Sequence, residues 1–164
     1  MLEDFRADPK AHRLRTPSGK IEIFSERIAG FGYSDCKGHP IWMEPIEWLG
    51  KAKKRQLHLI SNQPKNKLHS QLYNGSLSQN DRFAGHEIAL LNPSDANAQG
   101  IKQHDIIRVF NSRGACFCAA FLSDDIRQGV IQISTGAWLD VKDDTGLCQK
   151  GNPNVLCLDK GTSE

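Results

Sequence analysis

The eight residues ACFCAAFL, Ala115 to Leu122, constrain the fold more than any other stretch of the chain. They read as a strand whose two faces are both apolar, and such a strand has to be covered on both sides. Its neighbours are also short strands. QLHLIS (Gln56 to Ser61), HEIALLN (His86 to Asn92), DIIRVFN (Asp105 to Asn111) and VIQIS (Val130 to Ser134) are β-rich runs separated by turn residues such as SRG and SDDIRQG. One helix interrupts them. In NPSDANAQGI, Asn92 is a good N-cap, Pro93 suits the first helical position and Gly100 is a natural stop. Closely spaced strands with one small helix point to a mainly β fold, a closed barrel or sandwich rather than a doubly wound sheet.

The chain has 164 residues, which suits one domain. The strands begin near residue 50, and the first 49 residues have a different texture. They read as an irregular N-terminal arm, with the β-rich domain spanning 50–164. TPSGKIEIFSERI predicts a turn at Pro17 to Gly19 followed by a short alternating strand through Ile21 and Ile23. GFGYSDCKGHP is a loop by composition. IWMEPIEWLG carries Trp42 and Trp48, too much aromatic surface for a free linker, so the arm is expected to pack on a neighbour. The polar opening LEDFRADPKAHRL reads as a segment of something longer.

Charge excludes little but does weigh against nucleic acid. The net formal charge is +2, and the one basic cluster, KAKKR (Lys51 to Arg55), reads as a solvated connection ahead of the first strand. No apolar run is long enough to span a membrane, so no membrane insertion is expected. Five cysteines occur without a Cys-x-x-Cys motif, and His residues are scattered, so neither a zinc site nor a nucleophile–base pair stands out. Cys116 and Cys118 lie two apart in a strand and face the same side. The cysteines read as small buried hydrophobes in a reducing compartment. The acidic run DVKDD (Asp140 to Asp144) reads as a solvated loop, and His104, at a tight turn, as surface.

A richer signal follows the first strand. Ser61, Asn62, Gln63, Asn66, His69, Ser70 and Gln71 crowd into eleven residues, and none carries a permanent charge. Neutral groups that set a donor beside an acceptor suit the amide-like edges of a pterin or a guanine. A plain polar loop that caps its own turns fits equally well. Ser70, Gln71 and Leu72 can open a helical turn toward a pyrophosphate. In GNPNVL (Gly151 to Leu156), Pro153 stiffens the backbone between two amides, Asn152 and Asn154. In STGAWLD (Ser134 to Asp140), Gly136 permits close backbone approach, and Trp138 either stacks on a flat ligand or fills the core, the second reading being preferred.

TPSGKIEIFSERI, HLISNQPKNKLHSQ, LNPSDANAQGIKQHDIIRVFNSRG, IRQGVIQISTGAW and GNPNVL, in this order, resemble the C-terminal region of the dimethyl sulfoxide reductase family of molybdenum enzymes. The branch they are most similar to is that of the trimethylamine N-oxide and biotin sulfoxide reductases. The likeness runs from about Phe5 to Ser163. It implies a double-psi β-barrel that helps to hold bis(molybdopterin guanine dinucleotide) molybdenum, shared with the remaining domains of a parent reductase. It implies cofactor contacts from Ser61, Asn62, Gln63, His69, Ser70, Gln71, Asn152 and Asn154, with no catalytic residue and no metal ligand in this chain. It also implies that relatives run on past the final GTSE, and that such a protein is periplasmic or cytoplasmic, the periplasm being favoured. His104 stands where the resemblance leads one to expect glycine, so a turn needing positive φ is strained there.

Overall fold

A computed structural model describes residues 2–142 and 146–161. The chain forms two compact units. One comprises residues 2–45 with 160–161, and the other residues 46–159.

The first unit holds two short helices, α1 (Leu2–Ala7) and α2 (Glu26–Ala29). Ser25 caps α2 by accepting a hydrogen bond from the Ile28 N–H. The strand expected through Ile21 and Ile23 does not form, and both side chains are exposed. Local bonds form around it instead. The Ser18 N–H donates to the Glu22 carboxylate at 2.7 Å, and the Thr16 hydroxyl donates to the Lys20 carbonyl at 2.6 Å. A polar and Gly-containing segment satisfies itself this way when no partner strand is at hand.

In the second unit the strands fall where the sequence places them. They are β1 (His58–Ile60), β2 (Ile88–Leu91), β3 (Ile106–Phe110), β4 (Ala115–Leu122) and β5 (Val130–Ile133), followed by the two-residue strands β6 (Val141–Lys142) and β7 (Leu147–Cys148). The run expected as an acidic loop therefore contributes β6, while Asp143 and Asp144 lie outside the described residues. Helix α3 (Ser76–Asn80) lies between β1 and β2, and α4 (Pro93–Gln99) between β2 and β3. α4 has the caps read from its sequence. Asn92 accepts from the Ser94 N–H, and Gly100 ends the helix in the left-handed region at φ 71°.

Among the described residues, one mixed sheet runs β1-β5-β2-β4-β7-β6, with β3 also paired to β4, and it curls into a half-barrel. β4 is its spine. A strand has two edges, and β3 covers one of them over Ala115 to Ala119. The other edge is shared by β7 at Ala115 and Cys116 and by β2 from Ala119 to Leu122. Its faces are covered as well as its edges, with consecutive residues Cys118, Ala119 and Ala120 all buried. Cys116, Cys118, Ala119 and Ala120 are wholly buried, and Cys116, Cys118 and Ala120 pack with Ala89, Leu91, Ile131, Ile133, Cys148 and Leu156. The Cys116 and Cys118 sulfurs lie 3.9 Å apart on the shared side. The neighbouring Cys116 thiol and burial both push the Cys118 thiol up, so it stays protonated and inert. Cys36 and Cys157 are exposed, so only three of the five cysteines are core residues.

A buried ion cluster ties the loop after β1 to β2. Lys67 Nζ lies 2.7 Å from Glu87 Oε1, and Arg82 Nε lies 3.2 Å from the same oxygen. The Arg82 guanidinium carbon also sits 3.6 Å from the centroid of the Tyr73 ring. Removing the shared anion strands two cations away from water. Glu87→Ala is therefore expected to lower stability by about 3–5 kcal/mol, read as a shift of the urea midpoint. A loss below ~1 kcal/mol would show that water solvates the cluster after all.

Candidate functional site

β1 and β5 are parallel, pairing His58 with Val130 and Ile60 with Gln132. Their C-terminal ends point the same way, so the loops that follow them, 61–75 and 134–140, emerge together. The Ser61 hydroxyl donates to the Ile133 carbonyl at 3.0 Å. The Thr135 N–H donates to the Asn62 carbonyl at 2.9 Å, and the Ser134 hydroxyl donates to the Asn62 side-chain oxygen at 3.1 Å. The start of the polar stretch thus clamps the two loops side by side.

Beyond that clamp the two loops enclose a cavity of about 550 Å³. Its walls are His69, Ser70, Thr135, Gly136, Ala137, Trp138, Leu139, Asn152 and Asn154. The lining unites residues 69–70, 135–139 and 152–154, which are far apart in sequence. None of the lining side chains carries a fixed charge.

Gly136 allows the close approach. At φ 91° it sits where an added Cβ would fall 1.8 Å from the His69 carbonyl oxygen. Gly151 does the same for the third wall, since a Cβ there would meet Glu87 Cβ at 2.9 Å. Asn152 is buried and uses its amide internally. Its Nδ2 donates to the Ala137 carbonyl at 2.9 Å, and its Oδ1 accepts the Asn154 N–H at 2.9 Å. It therefore locks the 3-10 turn Pro153–Leu156 to the loop after β5. The Arg113 Nε and the Asn111 amide both donate to the Leu156 carbonyl at the other end of that turn. Arg113 in turn grips the Glu47 carboxylate with two bonds of 2.7 and 2.8 Å.

Of the residues expected to contact a cofactor, His69, Ser70, Asn152 and Asn154 line the cavity. Ser61 and Asn62 form the clamp behind it, and Gln63 donates to the Lys67 carbonyl. The Gln71 N–H closes a turn onto the Leu68 carbonyl at 2.9 Å. No helix opens at Ser70 to Leu72. His69 and Leu72 have φ of 50° and 62°, left-handed values that break a helix, and α3 starts only at Ser76. Trp138 is not a core residue. Its ring is 51% exposed, its Nε1–H donates to the Ser70 carbonyl at 3.0 Å, and it stacks on Tyr73 at 5.7 Å between centroids. The run 135–139 supplies five lining residues, and STGAW was its only trace in the sequence. His104 does take the left-handed conformation, at φ 70°, and its exposed ring stacks on Phe83 at 4.5 Å.

The model of the molydopterin dinucleotide binding domain matches residues 57–164, which include every wall of the cavity. The chain belongs to this family. Biotin sulfoxide reductase of Cereibacter sphaeroides is 46% identical to this chain over 162 residues, which make up 99% of the chain and 22% of that protein. Dimethyl sulfoxide/trimethylamine N-oxide reductase of the same organism is 49% identical over 98% of the chain and 20% of its own length. Trimethylamine-N-oxide reductase 1 of Escherichia coli K12 is 46% identical, again over 98% of the chain and 20% of its own length. The domain thus spans about a fifth of the length of these relatives. Acetylene hydratase from Pelobacter acetylenicus has the same fold, with a TM-score of 0.69 over 90% of this chain and 21% of its own, at 22% identity.

The cavity suits part of such a cofactor. Its lining carries no fixed charge, and the Ser70 hydroxyl, the Asn154 amide and the His69 ring offer donors and acceptors. No group of three or more His, Cys, Asp or Glu residues able to hold a metal occurs among the described residues.

Two outcomes follow from this geometry. Gly136→Ala should cost more than ~1 kcal/mol, because both φ and space oppose it. It should also move the Trp138 indole N–H resonance, since the strand-end loop has to leave the His69 carbonyl. Hydrogen bonds from Arg113 hold the Glu47 carboxyl below its ordinary value of 4.5. A depressed folded-state pKa stabilises above the unfolded value and ceases to do so as pH falls through the folded one. Wild type should therefore be more stable than Glu47→Gln at pH 7, by a small margin because Glu47 is largely exposed. The gap should close as the pH falls below 4.5 in paired denaturation curves.

Proposed function

We propose that this domain holds one end of a molybdopterin guanine dinucleotide in the cavity between the loops after β1 and β5. It does so as part of a larger reductase acting on N-oxides or S-oxides. The observation that carries the reading is the convergence of His69, Ser70, Asn152 and Asn154 on one uncharged, polar cavity within the matched region. Ser61, Asn62, Gln63 and Gln71 shape the loop that presents it. A neutral lining favours the flat ring of a dinucleotide over its pyrophosphate, which calls for cations or a helix start. The bis(molybdopterin guanine dinucleotide) form of the cofactor, its sharing with other domains and a double-psi closure of the barrel belong to the same proposal. The molybdenum centre, when present, supplies the oxygen-atom transfer. This chain contributes binding and orientation.

The other domains of that reductase are the partner proposed for the first unit. Ile21, Ile23 and Trp42 are 66%, 77% and 77% exposed there, an apolar display suited to a covering neighbour. A barrel acting only as a docking module has no use for the uncharged cavity, which sets that alternative below cofactor binding.

An amide NMR titration of the 164-residue chain with GDP tests the reading. Shifts are expected at His69, Ser70, Thr135 to Leu139, Asn152 and Asn154. A folded spectrum that GDP leaves unmoved at these residues would refute binding of the guanine end. The purified chain alone is expected to show no reduction of trimethylamine N-oxide with a viologen donor. Turnover would mean that it carries reaction machinery as well as binding groups.

A further inference from the structure

We infer that Trp138 is a stacking platform for a fused bicyclic heteroaromatic ring, the guanine or the pterin of the dinucleotide. The inference rests on the cofactor-binding reading above and adds the group that recognises the ring.

Trp138 is held in an unusual way for a half-exposed side chain. One bond and one stack fix it. Its Nε1–H donates to the Ser70 carbonyl at 3.0 Å, and its ring lies within 12° of parallel to Tyr73. Tyr73 is itself immobilised. It is 2% exposed, the Arg82 guanidinium carbon sits 3.6 Å from its ring centroid, and Arg82 also donates to the Tyr73 carbonyl. Glu87 anchors Arg82, and Lys67 anchors Glu87. A chain of buried contacts thus leads from Lys67 to an indole that remains 51% exposed and forms a wall of the cavity. Two fixed contacts remove most of the rotamer freedom that ligand binding otherwise costs, while half of the residue stays exposed. Burying the indole would have been enough for stability. Exposing it while locking it is what stacking on a ligand requires.

The surroundings define the ligand class. Gly136 brings the loop after β5 against the His69 carbonyl, and Ser70 and Asn154 line the same cavity as the indole. A flat ring with amide-like edges fits that combination. A phosphate finds no Lys or Arg in the lining.

Three probes test it on the 164-residue chain: GDP, free neopterin and inorganic pyrophosphate. GDP or neopterin should shift the Trp138 indole N–H resonance, whereas pyrophosphate should not, and which of the two binds tells guanine from pterin. Trp138→Leu should weaken the binding ring on the order of tenfold, as loss of one base–aromatic stack does. Trp138→Phe should restore most of that loss. If either ring shifts Ser70 and Asn154 but binds equally well to Trp138→Leu, the platform is refuted while the cofactor reading stands. If neither ring shifts any residue of the cavity, both fall. Should Trp138→Leu not fold, the wild-type indole shift and the Phe variant decide alone. An indole unmoved by a ring that binds refutes the platform.

Discussion

The parallel pairing of β1 with β5 is the constraint on which the rest of the site depends. Sixty-nine residues separate the two strands, yet three backbone pairings set them side by side with their C-terminal ends together. Once that is done, the polar loop after β1 and the Gly-Ala-Trp loop after β5 have to share one end of the sheet. An antiparallel pairing would have sent them to opposite ends. β4 makes the arrangement possible, because it carries β3 on one edge and both β2 and β7 on the other. Its small, wholly buried residues let three strands crowd around it.

The site is then built by subtraction of side chains and by satisfied amides. Gly136 and Gly151 let backbone pass where any Cβ would collide with the His69 carbonyl or with Glu87. The Asn62 amide accepts from the Ser134 hydroxyl and the Asn152 amide donates to the Ala137 carbonyl, so both act as struts between loops. The groups left over, Ser70, Asn154 and the Trp138 ring, face the cavity. Beneath them, the Lys67–Glu87–Arg82 cluster gives the loop after β1 a rigid base, at the desolvation cost that buried charges always carry.

Much of the fold was legible in the sequence because it is encoded locally. The five principal strands were marked by β-branched and apolar runs between turn residues, and α4 by its Asn, Pro and Gly. The misses have a common cause. Ile21 and Ile23 alternate as a strand should, but a strand exists only if another pairs with it, and the bonds around them, Thr16 to Lys20 and Ser18 to Glu22, are local. Ser70 to Leu72 offered the polar residues of a helix start, but the left-handed conformations of His69 and Leu72 are imposed by the fold. Trp138 read as core because large apolar side chains usually are. Its half-exposed position follows from contacts with Ser70 and Tyr73, 68 and 65 residues away in sequence.

By itself the sequence determined the five principal strands, the need to cover both faces of ACFCAAFL, and the presence of a dense, uncharged polar stretch. Those properties depend on residues within a few positions of one another, so composition and spacing express them. The tertiary structure decided which polar groups are struts and which face the cavity, that residues 135–139 form its wall, and that Lys67, Arg82 and Glu87 meet out of water. Each of these turns on contacts between residues remote in the chain, and only strand pairing and close packing fix such contacts.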